Sequence, residues 1–561
     1  MKVRSLLAVV SSLLVFGPAV VAQSPPLTLE KNVRVPMPDG VLLATDLYIP
    51  NPADKAPAIL VRTPYDRSQF SWLARPLAAR GYVVVVQDTR GTGASEGALE
   101  PFIHERSDGM ATVRWIVGQP WSNHRIGLWG TSYLAFAGLM IAGEKPPEVG
   151  AMVAMSGWGD ARQMLYPGDA LQLLVTLGWN LSQQISGRKI ADWQAVWQTI
   201  PVDSIPAKFG ARREAWNAVG AMVKDPKALG LTSLGASLDI PILHITGWND
   251  FLVNDALAVY ANAVHGAGAD RQKLIVGPWA HDQIWGPERR VADEDFGEDA
   301  AMGGEKVVEL SVRWFDYWLK GEETGITREP PVRYFMMDAN QWRTSDAWPP
   351  RETKTQEWFL ESDGKANGAA GDGRLVAERP HKEKSDRFTF DPLDPVPTAG
   401  GANFHHFPEL LGPRDQRAVE ERADVLVYTS APLESGLQIV GPIDVELYAS
   451  TEGAATDFTA KLVEVRANGY ARIIADGIRR VKKADLRGPM TVTLGHTAIA
   501  IPSGNRLRLE ISSSNFPKYA RNPNTGETPE SAMVFKKVGQ RVDHGGRTPS
   551  RVRLTVFPAG K

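Results

Sequence analysis

From residue 32 the chain reads NVRVPMPDGVLLATDLYIP, two apolar-rich runs on either side of Asp39-Gly40, and this spacing predicts an antiparallel hairpin. Six short apolar runs follow: AILVRTPY (58–65), YVVVVQDTRG (82–91), RIGLWG (125–130), GAMVAMSGW (150–158), IPILHITGW (240–248) and KLIVGPW (273–279). Runs of this length suit strands buried on both faces, and the spacers between several of them suit helices. The pattern predicts an α/β fold with a largely parallel sheet.

Two departures from that rhythm divide the chain. About eighty residues separate Trp158 from Asp239, far more than a crossover needs, and they carry helical periodicity in ALQLLVTLGWNLSQQI and WQAVWQTI. A helical cap inserted into the sheet domain accounts for them. After the amphipathic stretch EKVVELSVRWFDYWLKG (305–321) the chain turns to alternating strands such as FTAKLVEV, MTVTLG and RLRLEISSS, separated by Gly, Pro and Asn, the pattern of an all-β sandwich. The expected boundaries are 23–158 and 239–325 for the two parts of the sheet domain, 159–238 for the cap and 326–561 for the sandwich.

Residues 1–22, MKVRSLLAVVSSLLVFGPAVVA, combine a basic start at Lys2 and Arg4, an apolar run, Pro18, and small residues at Val20 and Ala22. This is the pattern of a cleavable export signal. Gly17 and Pro18 leave the apolar run short of the ~20 residues that span a bilayer. The expected location is therefore secreted or periplasmic, with no membrane attachment once the signal is removed.

The 561 residues include no cysteine, which excludes a thiolate nucleophile, cysteine metal ligands and disulfides, so stability must come from large cores. A formal net charge of −2 gives no electrostatic footprint for a nucleic-acid partner. The oligomeric state is left open, a homo-oligomer included.

Two serines compete as nucleophile. Ser95, in GASEG, fits the G-x-S-x-G spelling, whereas Ser132, in GLWGTSYLA, departs from it at Leu134. A nucleophile elbow needs a strand, a tight turn and a helix that leaves at once. Ser132 has all three, with an apolar strand before it, Gly130 at the turn and YLAFAGLMIAG after it. Ser95 has no helix behind it.

A serine nucleophile needs a base, and the base an orienting carboxylate; in α/β hydrolases these follow in the order Ser, Asp or Glu, His, each at a strand end. Asp250 closes IPILHITGWND and His281 closes KLIVGPWAH. Asp255 and Asp282 are rivals for the carboxylate, the first expected inside a helix and the second adjacent to His281. His244 reads as a core residue, and His405 and His406 as solvent or interface residues. Oxyanion donors would be the Tyr133 backbone N–H and the Tyr65 hydroxyl.

With these residues in place the chain resembles the bacterial cocaine-esterase/NonD hydrolase family, which is related to X-Pro dipeptidyl-peptidases, glutaryl acylases and α-amino-acid ester hydrolases. The resemblance rests on TPYDR (63–67), QDTRGTGASEG (87–97), WGTSYLA (129–135), GWNDF (247–251), GPWAH (277–281), DPVPTAGG (394–401), TDFTAKLVEV (456–465) and SSSNFPKYARNPNTG (512–526). It implies an α/β-hydrolase domain, a helical cap and a C-terminal jelly roll. It also implies Ser132, Asp250 and His281 as the triad, with Tyr65 and the Tyr133 amide as the oxyanion hole. Ala135 stands where the family usually has Gly. The amino-acid ester hydrolases carry Glu and Asp two and three residues after the catalytic Asp to bind a substrate ammonium, and Leu252 and Val253 stand there here, which favours an apolar acyl pocket.

The expected activity is hydrolysis of a small-molecule ester or amide without metal or organic cofactor. Trp158, Trp179, Trp248, Phe251, Trp279 and Phe404 are expected pocket walls. The alternatives are an X-Pro dipeptidyl-peptidase, which would need Asp169, Asp255 or Glu105 as an acidic anchor for a free N-terminus, an acylase of the β-lactam side-chain type, and a carbohydrate-binding protein with a degenerate hydrolase domain.

Overall fold

A computed structural model describes residues 27–50, 54–224 and 238–558. The expected export signal lies outside the described residues. The Asp39-Gly40 turn joins β1 (Thr28–Pro36) to β2 (Leu42–Ile49), which pair antiparallel, and Gly40 takes a φ of 88°. The continuous apolar runs then become β3 (Ala56–Thr63), β4 (Val83–Asp88), β5 (Ser122–Thr131), β6 (Val149–Met155), β7 (Ile242–Gly247) and β8 (Gln272–Gly277). From β4 to β8 the pairings are parallel, and every residue of β3, β4, β7 and β8 is buried, as expected of strands covered on both faces.

Helices α1 (Ser71–Ala79), α2 (Glu105–Val117) and α3 (Tyr133–Ala142) follow β3, β4 and β5. All ten residues of α3 are buried, so an element without a polar face serves as an internal pillar behind the central strand. Between β6 and β7 the chain forms the cap: α4 (Ala161–Leu165), α5 (Leu173–Asn180), α6 (Gln183–Ser186), α7 (Trp193–Gln198), α8 (Ile205–Phe209) and α9 (Arg213–Lys224). α10 (Val253–Ala263) lies between β7 and β8, and after β8 come a two-residue ladder of β9 (Arg290–Val291) and β10 (Glu294–Asp295), and α11 (Gly303–Phe315).

The sheet does not end where the sequence pattern suggested. β11 (Val332–Met336) pairs parallel with β8, β12 (Gln341–Ser345) pairs antiparallel with β11, and the sheet runs β1-β2-β4-β3-β5-β6-β7-β8-β11-β12. The boundary at 325/326 therefore moves to the segment between Ser345 and Lys354, where the first strand of the sandwich begins. Residues 332–345 have the short-strand pattern of the sandwich, and only their pairing with β8 assigns them to the sheet. The sandwich, from Lys354–Glu361 to Arg551–Val556, buries one large apolar cluster that also takes in Trp248, Val253 and Tyr334 from the sheet domain. The two domains thus share core, which fixes the sandwich near the carboxyl ends of the parallel strands.

Candidate active site

Ser132 follows the last residue of β5 and caps α3 with φ 55° and ψ −123°, a conformation that residues other than glycine rarely adopt. Its backbone is held there because its N–H donates to Met155 O at 2.9 Å while Phe136 N–H donates to its carbonyl at 3.0 Å. Gly130 makes the turn feasible, since a side chain at this position would collide with the Leu134 carbonyl. Ala135 is fully buried, and its methyl group packs opposite Gly157. Ser95 has a different job: its hydroxyl donates to Asp88 O at 2.8 Å and accepts from Ala44 N–H at 2.9 Å, tying the 91–97 loop to β2 and β4.

Asp250 follows the end of β7 and is fully buried. One carboxylate oxygen accepts the Leu252 N–H at 2.9 Å and faces His281 Nδ1 at 2.9 Å; the other accepts the hydroxyl of Ser156. A proton on Nδ1 toward this carboxylate leaves Nε2 as the basic nitrogen. Ser156 had no signature in sequence, yet it sits just beyond β6 with φ 47° and its N–H on Ile245 O at 2.7 Å, so the Asp250 acceptors are filled from two neighbouring strand ends. The rivals lie elsewhere: Asp255 is buried in α10, and Asp282 makes no bond to His281 Nδ1.

Ser132 and His281 line one cavity of about 280 Å³, together with Tyr65, Tyr133, Trp158, Trp179, Phe251 and Phe404. The Tyr65 hydroxyl oxygen accepts the Trp179 indole N–H at 2.8 Å, which leaves its own hydrogen free to donate. Burial pushes this phenol up to about 12, more than the Trp179 bond lowers it, so it stays protonated. Tyr133 is the first residue of α3, where a backbone N–H has no intrahelical acceptor. Its side chain is anchored from behind: the hydroxyl donates to Glu105 Oε1 at 2.9 Å and accepts the Phe102 N–H at 3.0 Å, and Glu105 pairs with Arg62 at 2.6 Å.

Two expected walls are absent. Trp248 turns toward the sandwich, donating to Phe335 O at 2.8 Å beside Trp348, and Trp279 folds back over Gly277 to donate to Ala300 O at 2.7 Å. Each follows a strand end, but the indole of each is bonded to a backbone carbonyl and neither lines the cavity of Ser132. His244 stands within β7 with Nε2 on Gln272 Oε1 at 3.0 Å, and burial lowers it to about 4.

His405 and His406, expected at solvent or an interface, line the cavity instead. The His405 ring lies 5.3 Å from the His281 ring at an interplanar angle of 20°. Burial, reinforced by repulsion from His281 and His406, lowers His405 to about 2, so it stands neutral beside the base. Gly178 in α5 lets the loop that carries these histidines approach, because a side chain there would meet the Phe404 ring at 2.8 Å. Phe404 in turn meets Phe251 edge-on at 5.5 Å. Sheet domain, cap and sandwich all contribute walls.

Residues 39–283 match the family described as X-Pro dipeptidyl-peptidase (S15 family), and residues 324–553 match the X-Pro dipeptidyl-peptidase C-terminal non-catalytic domain. The cocaine esterase of Rhodococcus sp. (strain MB1 Bresler) is 31% identical over 576 residues, covering 94% of this chain and 99% of the relative. Among solved structures, the aminopeptidase from the marine sediment archaeon Thaumarchaeota archaeon superposes with a TM-score of 0.81 at 22% identity, covering 95% of this chain and 97% of that one. A selenomethionine-labelled α-amino-acid ester hydrolase gives 0.79 at 23%, covering 96% and 98%. The structural likenesses carry the fold, and the sequence match carries the family: this chain is a hydrolase of the cocaine-esterase/NonD family.

Proposed function

We propose that the protein is a secreted or periplasmic serine hydrolase that cleaves carboxylic esters, with amides as a second substrate class, through an acyl-enzyme on Ser132. His281 Nε2 takes the hydroxyl proton as Ser132 Oγ bonds to the acyl carbon, and the carbonyl π electrons move onto oxygen. That oxyanion accepts hydrogen bonds from the Tyr133 N–H and the Tyr65 hydroxyl. As the carbonyl re-forms, the bond to the leaving group breaks and the leaving oxygen or nitrogen takes the proton from His281. Water, deprotonated by the same nitrogen, attacks the acyl carbon, and the acid departs as Ser132 regains its proton.

The observation that carries this reading is the strained Ser132 at a strand end, facing the same cavity as a histidine whose far nitrogen meets a buried carboxylate at 2.9 Å. An X-Pro dipeptidyl-peptidase is disfavoured by the placement of its three candidate anchors. Glu105 is held by Arg62 and Tyr133, Asp169 pairs with Arg162 and Arg479 away from the cavity, and Asp255 faces a different crevice.

The test compares kcat/KM for p-nitrophenyl butyrate with that for alanyl-prolyl-p-nitroanilide. The ester is expected to be favoured at least tenfold, and Ser132→Ala to lose about 10³-fold or more. A ratio below one would point to dipeptidyl-peptidase activity, and near-normal turnover by Ser132→Ala would remove the nucleophile. Covalent labelling of Ser132 by a fluorophosphonate separates an enzyme from a carbohydrate-binding protein on a degenerate hydrolase domain.

A further inference from the structure

The sandwich sends one loop, residues 400–412, to the catalytic cavity. Its neck is closed by a reciprocal pair of backbone bonds between Gly401 and Gly412, each 2.8 Å. Within the loop Asn403 Nδ2 donates to Gly400 O at 3.0 Å and to Leu410 O, and the Phe407 N–H donates to Phe404 O at 3.1 Å. The tip is pinned to α7 of the cap, where Phe407 meets Trp193 edge-on at 4.9 Å and Trp197 at 5.4 Å. A loop bonded across its neck and wedged against a helix presents its other side chains in fixed places.

One of those side chains, His405, meets the base. Its ring lies 5.3 Å from that of His281 and nearly parallel to it, and the Phe251 ring lies 4.6 Å from His281 at 45°. Among the described residues neither nitrogen of His405 has a hydrogen-bond partner, so no hydrogen bond accounts for its place. Its contacts are rings: Phe404 at 4.6 Å, His406 at 4.4 Å and His281 itself.

The base is held at one atom. His281 Nδ1 faces Asp250 at 2.9 Å, and among the described residues Nε2 has no partner. An imidazole tethered at one nitrogen keeps freedom to tilt its plane, and a tilt displaces Nε2, the far atom, the most. Small displacements of a reacting group are costly in rate. Flat contacts on the ring oppose the tilt, and a neutral ring does so without repelling the imidazolium that forms during turnover.

We propose that His405 is a positioning residue for the reaction: with Phe251, its ring fixes the plane of the His281 imidazole and keeps Nε2 directed at the cavity that Ser132 lines. The sandwich, which matches a domain described as non-catalytic, thereby acts on the base itself. The effect on turnover rests on the serine-hydrolase reading, but the effect on the His281–Asp250 bond does not.

The kinetic test compares His405→Phe, which keeps a flat ring, with His405→Ala and His405→Asn, which remove it. On p-nitrophenyl butyrate, the two ring-deleted variants are expected to lose about fivefold or more in kcat with KM within about twofold, and His405→Phe to keep kcat within about twofold of the wild type. Circular dichroism and Tm establish that each variant folds, and either ring-deleted variant suffices if the other does not. A rise in KM with kcat unchanged would make His405 a pocket wall only. A His405→Phe as slow as His405→Ala would assign the effect to the imidazole nitrogens, and either result overturns the proposal.

A spectroscopic test needs no turnover. The proton between His281 Nδ1 and Asp250 gives a far-downfield magnetic resonance, identified by its loss in Asp250→Asn, whose width reports exchange with water. In Ser132→Ala it is expected to be sharp, to stay sharp when His405→Phe is added, and to broaden or vanish when His405→Ala is added. A resonance already broad in Ser132→Ala, or one unaffected by His405→Ala, overturns the positioning role even if the wild type cleaves esters efficiently. A resonance that depends on the His405 ring supports it even if Ser132→Ala retains activity, a result that would remove the nucleophile instead.

Discussion

Ser132 sits at φ 55°, Ser156 at φ 47° and Phe102 at φ 74°, and all three border the same centre. Left-handed backbone costs of order 1–3 kcal/mol at such residues, so surrounding bonds must hold it. Around Tyr65 the consequence can be tested. Its hydroxyl is positioned by Trp179 and kept protonated by burial, so Tyr65→Phe should lower kcat by about 10²-fold with little change in KM, measured on p-nitrophenyl butyrate. A rise in KM alone would show that the hydroxyl binds the ground state instead.

Asp255 offers a residue-scale test of stability. Burial, with repulsion from Asp160 and Asp250, raises its carboxyl to about 8, against 3.8 for an ordinary aspartate. Between these two values the unfolded chain has released a proton that the folded chain retains, so stability falls as pH rises through this window. Asp255→Asn cannot ionise in either state. It should match the wild type near pH 4 and gain about 1–3 kcal/mol by pH 8, read from urea unfolding. A gain that is constant with pH would assign the effect to packing.

At the scale of elements, the elbow depends on α3 leaving β5 without delay, and the pocket on α5 meeting a loop of the sandwich. Gly178 is the point of contact. Gly178→Val should push Phe404 and its neighbouring histidines out of the cavity, raising KM about tenfold or more for p-nitrophenyl butyrate with a smaller change in kcat. An unchanged KM would show that the loop plays no part in binding. The helical pattern of the cap and the continuous apolar strands were legible because each follows from burial of one face or two. The assignment of β11 and β12 was not, since a short strand reads alike whichever sheet it joins.

For the whole molecule, three units meet at the carboxyl ends of parallel strands, where ligand sites of open α/β sheets lie. Chain order and local spelling determined the two-part α/β domain, the cap, the sandwich and the choice of Ser132, Asp250 and His281 as candidates. These are properties of periodicity and of turns, which act within a few residues. Tertiary structure alone decided that Trp248 and Trp279 leave the pocket, that Ser156 supports Asp250, and that His405 and His406 enter from the sandwich. Those outcomes depend on where distant side chains find a carbonyl, a ring face or a void, and no window of sequence contains both partners.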